Sequence, residues 1–319
     1  METRKIVKSG NTSYILALPI KWIRINNLDS GKLVQVSEND QGDLIISAEK
    51  RKLISKEDFV TIKVDGKDYE TINLEFLTAY IRDATSIIFE GTEIVPKSNN
   101  ILKNISFFIG LDVIEQSTKS IVVKNFFSLD KETSPHILLK KMDIVNRASF
   151  ELLQDFFRKS FANEDFFELQ KLNEQNERLF ALIRKSILKL FENPKLMRDI
   201  QTNYLQISKE KIFAQSFMNI SLNLLSLGNA FLFLDRTRNE AKILENYFSI
   251  ISDDYQNILN AVNNKLYPNI HSFLKGHPFR LEEIDKFLKM LEEPPLIQAI
   301  YILHSIYNNL KIIANEALT

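Results

Sequence analysis

Cysteine is absent from all 319 residues. That excludes disulfides, thiolate nucleophiles and cysteine-based zinc sites, and it fits a cytoplasmic protein. No uninterrupted apolar run of roughly 18 residues appears, the length a membrane span requires. The richest stretch, "ISLNLLSLGNAFLFL", is broken by polar positions, so no membrane insertion is expected. The opening "METRKIVKSG" lacks the apolar core of a signal peptide. Net charge is also missing: 41 basic side chains balance 41 acidic ones, so the whole molecule is no general nucleic-acid binder. Motifs of catalysis are absent too. The four histidines, His136, His271, His277 and His304, form no HExxH pair. There is no GxSxG elbow, and "GTEIVPKS" lacks the second glycine of a phosphate loop. The adjacent carboxylates of "LEEPPLI" and "ISDDYQ" do not face each other on a helix. The chain is not expected to be an enzyme.

Glycine is scarce and uneven, with six of its eight copies in the first 110 residues. Glycine serves turns and positive φ, so the front is expected to hold strands and turns and the back to be helical. Residues 3–18 read as a strand, a turn at "SGN" and a second strand. Pro19 stops that strand and starts a short helix carrying Trp22. "KLVQVSE" and "LIISA" follow as a hairpin around "NDQGD". Such a unit of roughly 50 residues has too thin a core to stand alone and needs a partner, expected to be a second copy. Trp22 is read as an anchor of that core.

Residues 59–126 alternate apolar runs and helical patterns, from "FVTIKV" through "INLEFLTAYIRDA", "SIIFEG" and "SNNILKNISFFIGL" to "SIVVKNFF". They predict a small α/β layer. From about Ser134 the apolar residues recur at helical spacing, giving six long amphipathic segments in two sets of three. Pro268 and Pro278 are expected to bracket a loop. Many of the 23 phenylalanines fall in these segments and read as bundle core.

Charge is distributed with more purpose than its sum implies. Residues 1–32 carry Arg4, Lys5, Lys8, Lys21, Arg24 and Lys32 against only Glu2 and Asp29. A local excess of this sign suits a phosphate-facing surface.

The ordered run of a basic residue, "SGNTSYILALP", a Trp22 helix, "LDSGKLVQV" and "DLIIS" resembles the AbrB/MazE/SpoVT swapped-hairpin DNA-binding module over residues 3–48. The resemblance implies two chains interlaced into one small barrel that presents basic residues to double-stranded DNA. Arg4, Lys5, Lys8, Lys21 and Arg24 are the expected DNA contacts, with Ser9 and Asn11 shaping the turn or bonding phosphate. "FLTAYIRDATSIIFEG", "NISFFIGLDVIEQSTKSIVVKNFF", "LLKKMDIVNRASFELLQD" and "LQKLNEQNERLFALIRKSILKLFENP" resemble the archaeal PhoU-domain regulators of phosphate uptake. Proteins of that family hold metal clusters on carboxylates four residues apart. Here Asn173 precedes Glu177, with Glu174 beside it, while Leu224, Gly228, Asn308 and Asn309 occupy other matching places. Only Glu174 and Glu177 remain as metal candidates, expected instead to pair with Lys171 or Arg178 on a solvated face. Hard cations need several oxygen ligands, so no cofactor is expected.

The expectation is therefore a multidomain α+β protein. Residues 1–52 form a dimeric swapped-hairpin β-barrel, 53–133 a small α/β linker layer, and 134–319 a PhoU-like bundle of two three-helix units. Two functions stay open. One is a homodimeric transcriptional regulator linked to phosphate uptake. The other is a phosphate-signalling adaptor whose body binds a transporter or sensor kinase as protein partner, with the front serving for dimerisation.

Overall fold

The computed structural model describes residues 3–10, 12–38, 44–48, 59–158, 162–234 and 239–319. The chain divides into two compact units, Met1–Asp58 and Phe59–Thr319.

In the first unit, β1 (Ile6–Ser9) and β2 (Ser13–Leu16) form an antiparallel hairpin, and α1 (Ile20–Ile25) follows Pro19. A second hairpin joins β3 (Gln35–Glu38) to β4 (Leu44–Ser47). The two hairpins are separate two-stranded sheets. The expected barrel is thus not closed by the described residues of one chain, in which each strand pairs only with its hairpin partner.

The second unit begins with β5 (Phe59–Lys63), α2 (Tyr69–Ile81) and β6 (Ser86–Glu90), a parallel crossover. Then come α3 (Ile94–Phe107), β7 (Leu111–Gln116) and β8 (Ser120–Asn125), giving the sheet order β5-β6-β8-β7. The register places Ile62, Phe89 and Ile121 side by side across three strands, and all three are buried. Phe76 of α2 packs on Phe89 and Phe108 at ring distances of 5.2 and 5.3 Å. Strand β7 is an addition to the sequence reading. It is an edge strand with four exposed positions out of six and a register shift at Val113/Glu115, so it carries little of the alternation that marks a strand. The stretch "GTEIVPKS" is the turn after β6 and the first turn of α3. Asp65 accepts the backbone N–H groups of Thr92 and Glu93 at 3.0 and 2.8 Å. Those bonds hold its carboxyl below the usual range. Lys97 donates to the carbonyls of Val64 and Lys67 and to Glu93.

The remainder is helical: α4 (Pro135–Arg158), α5 (Asn163–Glu192), the short α6 (Pro194–Asp199), α7 (Tyr204–Phe231), α8 (Asn239–Asn263), α9 (Tyr267–Leu288) and α10 (Pro294–Leu318). Helices α4, α5 and α7 pack together, as do α8, α9 and α10, and α7 joins the sets through α10. Phenylalanines fill the first set and its border with α8: Phe156 stacks on Phe231 at 4.2 Å, and Phe150 lies 5.8 Å from Phe248. The loop expected between Pro268 and Pro278 is instead helix. Pro268 sits in the first turn of α9, where a missing N–H costs nothing, and Pro278 lies inside it. Its lost backbone bond is outweighed locally by packing. Neighbouring His277 is buried and stacks on Tyr307 of α10 at 4.7 Å and 2°.

Sheet layer and bundle share one compact unit, and the expected step at 133/134 marks where sheet gives way to helices. A charged clasp joins them. Lys185 of α5 has a side chain 0% exposed, 3.2 Å from Asp83 at the end of α2. It also donates to Asn125 at 2.9 Å and lies 4.4 Å from the Tyr80 ring centre. No helix among the described residues is long and apolar enough to cross a membrane.

Candidate functional site

Residues 3–48 combine exposed cations with exposed apolar side chains. In the β1–β2 hairpin Ile6 pairs with Leu16, Val7 with Ile15, Lys8 with Tyr14 and Ser9 with Ser13. Side chains alternate along each strand, so one face carries Ile6, Lys8, Tyr14 and Leu16, and the other Val7, Ser9, Ser13 and Ile15. Both faces are open. Ile6 and Tyr14 are 67% and 66% exposed on one, Val7 and Ile15 60% and 57% on the other. Ile20, Ile25, Leu33, Val36, Leu44 and Ile45 are exposed as well. Trp22 is half-buried, and no residue of this segment whose burial is described is fully buried. Apolar side chains left open in this number suit surfaces that a partner covers.

The basic residues stand around this surface. Arg4 and Lys5 precede β1, and both are exposed. Lys8 is exposed on β1, and Ser9 ends that strand next to Gly10, whose φ of 75° makes the tight turn. Asn11 lies outside the described residues. Lys21 and Arg24 are exposed on α1 three residues apart, a spacing that places them on one side of the helix. Arg24 is in the last turn, whose exit is fixed by Asn26 donating to the Trp22 carbonyl at 2.8 Å and by Asn27 at a φ of 50°. Lys32 is spent locally, donating to the Asn27 carbonyl at 2.7 Å and lying 3.8 Å from Asp29. The structure thus gathers Lys8 and Ser9 on one hairpin and Lys21 and Arg24 on one helix. Lys5, Lys8, Lys21 and Arg24 make no ion pair with a described residue.

In the body, Asn146, Asn173, Asn176 and Ser221 form a seam of neutral polar groups between α4, α5 and α7. Asn173 is buried on α5, donates to Glu177 at 2.7 Å and accepts from Ser221 of α7 at 3.0 Å. Asn176 donates to Asn146 and Ser221 at 2.9 and 3.1 Å, and Asn146 to the Phe217 carbonyl. Glu177 is therefore half-buried and held by Asn173, not paired with Lys171 or Arg178 as expected. Lys171 pairs with Glu168 at 2.9 Å, and Glu174 is exposed. Leu224 and Gly228 are buried in α7. Asn309 accepts from Asn219 across the α7–α10 seam, and Asn308 faces His304 at 3.1 Å. Each of these side chains is engaged by a neighbour, which fixes helix register by hydrogen bonds, while the buried Asn176 amide oxygen has no partner among the described residues. Among the described residues no group of three His, Asp or Glu side chains converges as a metal ligand set.

Sequence reasoning passed over Glu210. It stands in the buried stripe Ile207, Glu210, Ala214, Phe217, Ser221, Leu224 of α7. A carboxylate inside a stripe of three- and four-residue steps is the signal that was available. No protein-family model matches the chain, and neither a curated protein nor a solved structure matches it.

Proposed function

We propose that the protein is a homodimeric, double-stranded-DNA-binding transcriptional regulator whose front unit pairs with a second copy and whose helical body relays a signal. The observation that carries the reading is the state of residues 3–48. Their apolar side chains are open on both faces of the first hairpin, while Lys5, Lys8, Lys21 and Arg24 are exposed and form no ion pair with a described residue. Interlacing with a second copy would cover the first group and double the second, bringing eight of these cations to one symmetric surface. Symmetric dimers meet pseudo-symmetric sites on DNA, and cations released onto phosphates supply affinity. The swapped-hairpin arrangement and a link to phosphate uptake follow from the sequence resemblances, and both belong to this proposal.

Two measurements test it. A fragment of residues 1–58, expressed alone, should sediment as a dimer and unfold at a temperature that rises with concentration. A stably folded monomer refutes the interlaced reading. The full chain should shift a fragment of its own promoter at low salt, with log affinity falling linearly against log salt at a slope of about −4 or steeper. Absence of any shift at low salt, with the dimer intact, refutes the DNA-binding reading.

A further inference from the structure

A cavity of about 450 Å³ opens where the start of α4, the first half of α7, the end of α8, the start of α9 and the last residues of α10 converge. Its size is that of small-molecule sites. The inner wall is apolar, with Leu139, Phe217, Leu259 and Ile270 all buried. Into this wall is set Glu210, only 3% exposed. Its carboxylate accepts one hydrogen bond, from Gln206 at 3.0 Å. The nearest basic group is His136, 3.9 Å away and more than half exposed. Burial and nearby Lys140 hold His136 below its ordinary range, which weakens it as a counter-charge. No lysine or arginine among the described residues comes within ion-pair distance of Glu210. Burial accordingly pushes the Glu210 carboxyl up. The second carboxylate in the wall, Asp143, is already committed, to Arg147 at 3.0 Å and to the Tyr255 hydroxyl at 2.9 Å.

The opposite charge is present without a partner as well. Lys140, Lys209 and Lys265 border the same cavity, and none of them forms an ion pair with a described carboxylate. Lys140 and Lys265 are exposed and Lys209 is half-buried. A buried carboxylate lacking a cation is costly, and here the three lysines stand round the opening, out of ion-pair reach of it. A simple amine would satisfy Glu210 but meet the lysines as like charges. A simple anion would satisfy the lysines but leave Glu210 bare.

We propose that this cavity is a binding site for a small amphipathic zwitterion of the α-amino-acid class. Its ammonium meets Glu210, its carboxylate meets the lysines, and its side chain lies on Phe217 and Leu139. The inference concerns the body alone and stands independently of the DNA-binding reading.

Titration calorimetry on the full chain separates the alternatives with three probes that share one phenyl body: phenylalanine, 2-phenylethylamine and 3-phenylpropanoate. Leucine and methionine serve as further zwitterions of different shape. At least one of the three amino acids should bind with millimolar or tighter affinity, and the amine and the acid should each bind at least about tenfold more weakly than the best of them. Glu210→Gln, close to isosteric, should weaken that amino acid about tenfold or more, and Lys209→Met should do so by a smaller factor. Thermal melting of both variants, run alongside, shows that each is folded. No heat with any amino acid at 10-fold above millimolar concentration overturns the proposal. So does equal or tighter binding of the amine or the acid alone, and so does unchanged binding in folded Glu210→Gln.

Discussion

Replacing Asp83 by asparagine should destabilise the 59–319 unit by about 1.5–3 kcal/mol at pH 7, the cost of leaving a buried lysine without its partner, limited by the lysine shedding its proton. Lys185 explains the size. Its side chain is wholly inaccessible, and around it stand Asp83 at 3.2 Å, the Asn125 side-chain oxygen at 2.9 Å and the ring centres of Tyr80 and Phe127 at 4.4 and 5.0 Å. Asparagine isolates the electrostatic effect because Asp83 has a φ of 58°, a left-handed conformation that asparagine adopts at least as readily as aspartate. The substitution removes the one carboxylate that the described residues place beside Lys185 and strips Lys189 of its partner as well. Lys185→Met should cost less, under about 1.5 kcal/mol, because an apolar side chain of similar length fills the space while Asp83 keeps Lys189 and the Asn125 amide. Urea unfolding of the three proteins at pH 7 measures the differences, and an Asp83→Asn loss below about 1 kcal/mol would show that the clasp does not depend on charge.

The same lysine makes stability depend on pH in a known direction. Burial lowers Lys185 from its ordinary value of 10.5 to about 8, with Asp83 opposing the shift. Between about pH 8 and 10.5 the unfolded chain therefore binds more protons at this residue than the folded one, so its contribution to stability rises with pH across that window. Tyr80 acts in the other sense above pH 10, because burial raises its hydroxyl and the unfolded chain loses that proton first. In Asp83→Asn the deficit relative to the parent should accordingly shrink between pH 7 and pH 9, as the unpartnered ammonium is relieved of its proton.

Long helices were legible because their periodicity is local. Leu138, Met142, Val145 and Phe156 of α4 and Leu169, Leu179, Ile183 and Leu190 of α5 are buried where the spacing put them. The first hairpin was legible from alternation and its turn residues. What escaped is decided between elements distant in sequence. Strand β7 exists because β8 pairs with it, and its own residues are mostly exposed. Pro278 stays helical because α10 holds the adjacent turn. Lys185 looks like a solvated position of a charged helix until the packed structure closes over it, and Glu210, although it stands in the apolar stripe of α7, shows its distance from any lysine only once α4, α8 and α9 are in place. That α5 and α7 carry asparagine and serine along the polar seam was readable in the sequence. That its asparagines and Ser221 bind one another across α4, α5 and α7 was not, since which helix faces lie together is a tertiary fact.

For the front unit the sharpest expectation concerns Lys8 and Arg24, the one on the first hairpin and the other in the last turn of α1. Changing both to alanine removes four positive charges from a dimer. Both side chains are exposed and neither pairs with a described residue, so folding should survive, with a melting change of at most about 0.5 kcal/mol equivalent. If all four cations face phosphates, each contributes about 0.9 to the slope of log affinity against log salt, and the slope should flatten by roughly three to four units. Weakening should be nearly uniform across DNA sequences, because phosphate contacts position a protein without reading bases. Fluorescence anisotropy with the promoter fragment and with a scrambled duplex, at four salt concentrations, provides both readings. A folded double variant that keeps the parent's affinity and slope means that these cations do not dock on DNA. The exposed apolar faces would then serve dimerisation alone, and the adaptor reading, with a protein as the partner of the helical body, would take first place.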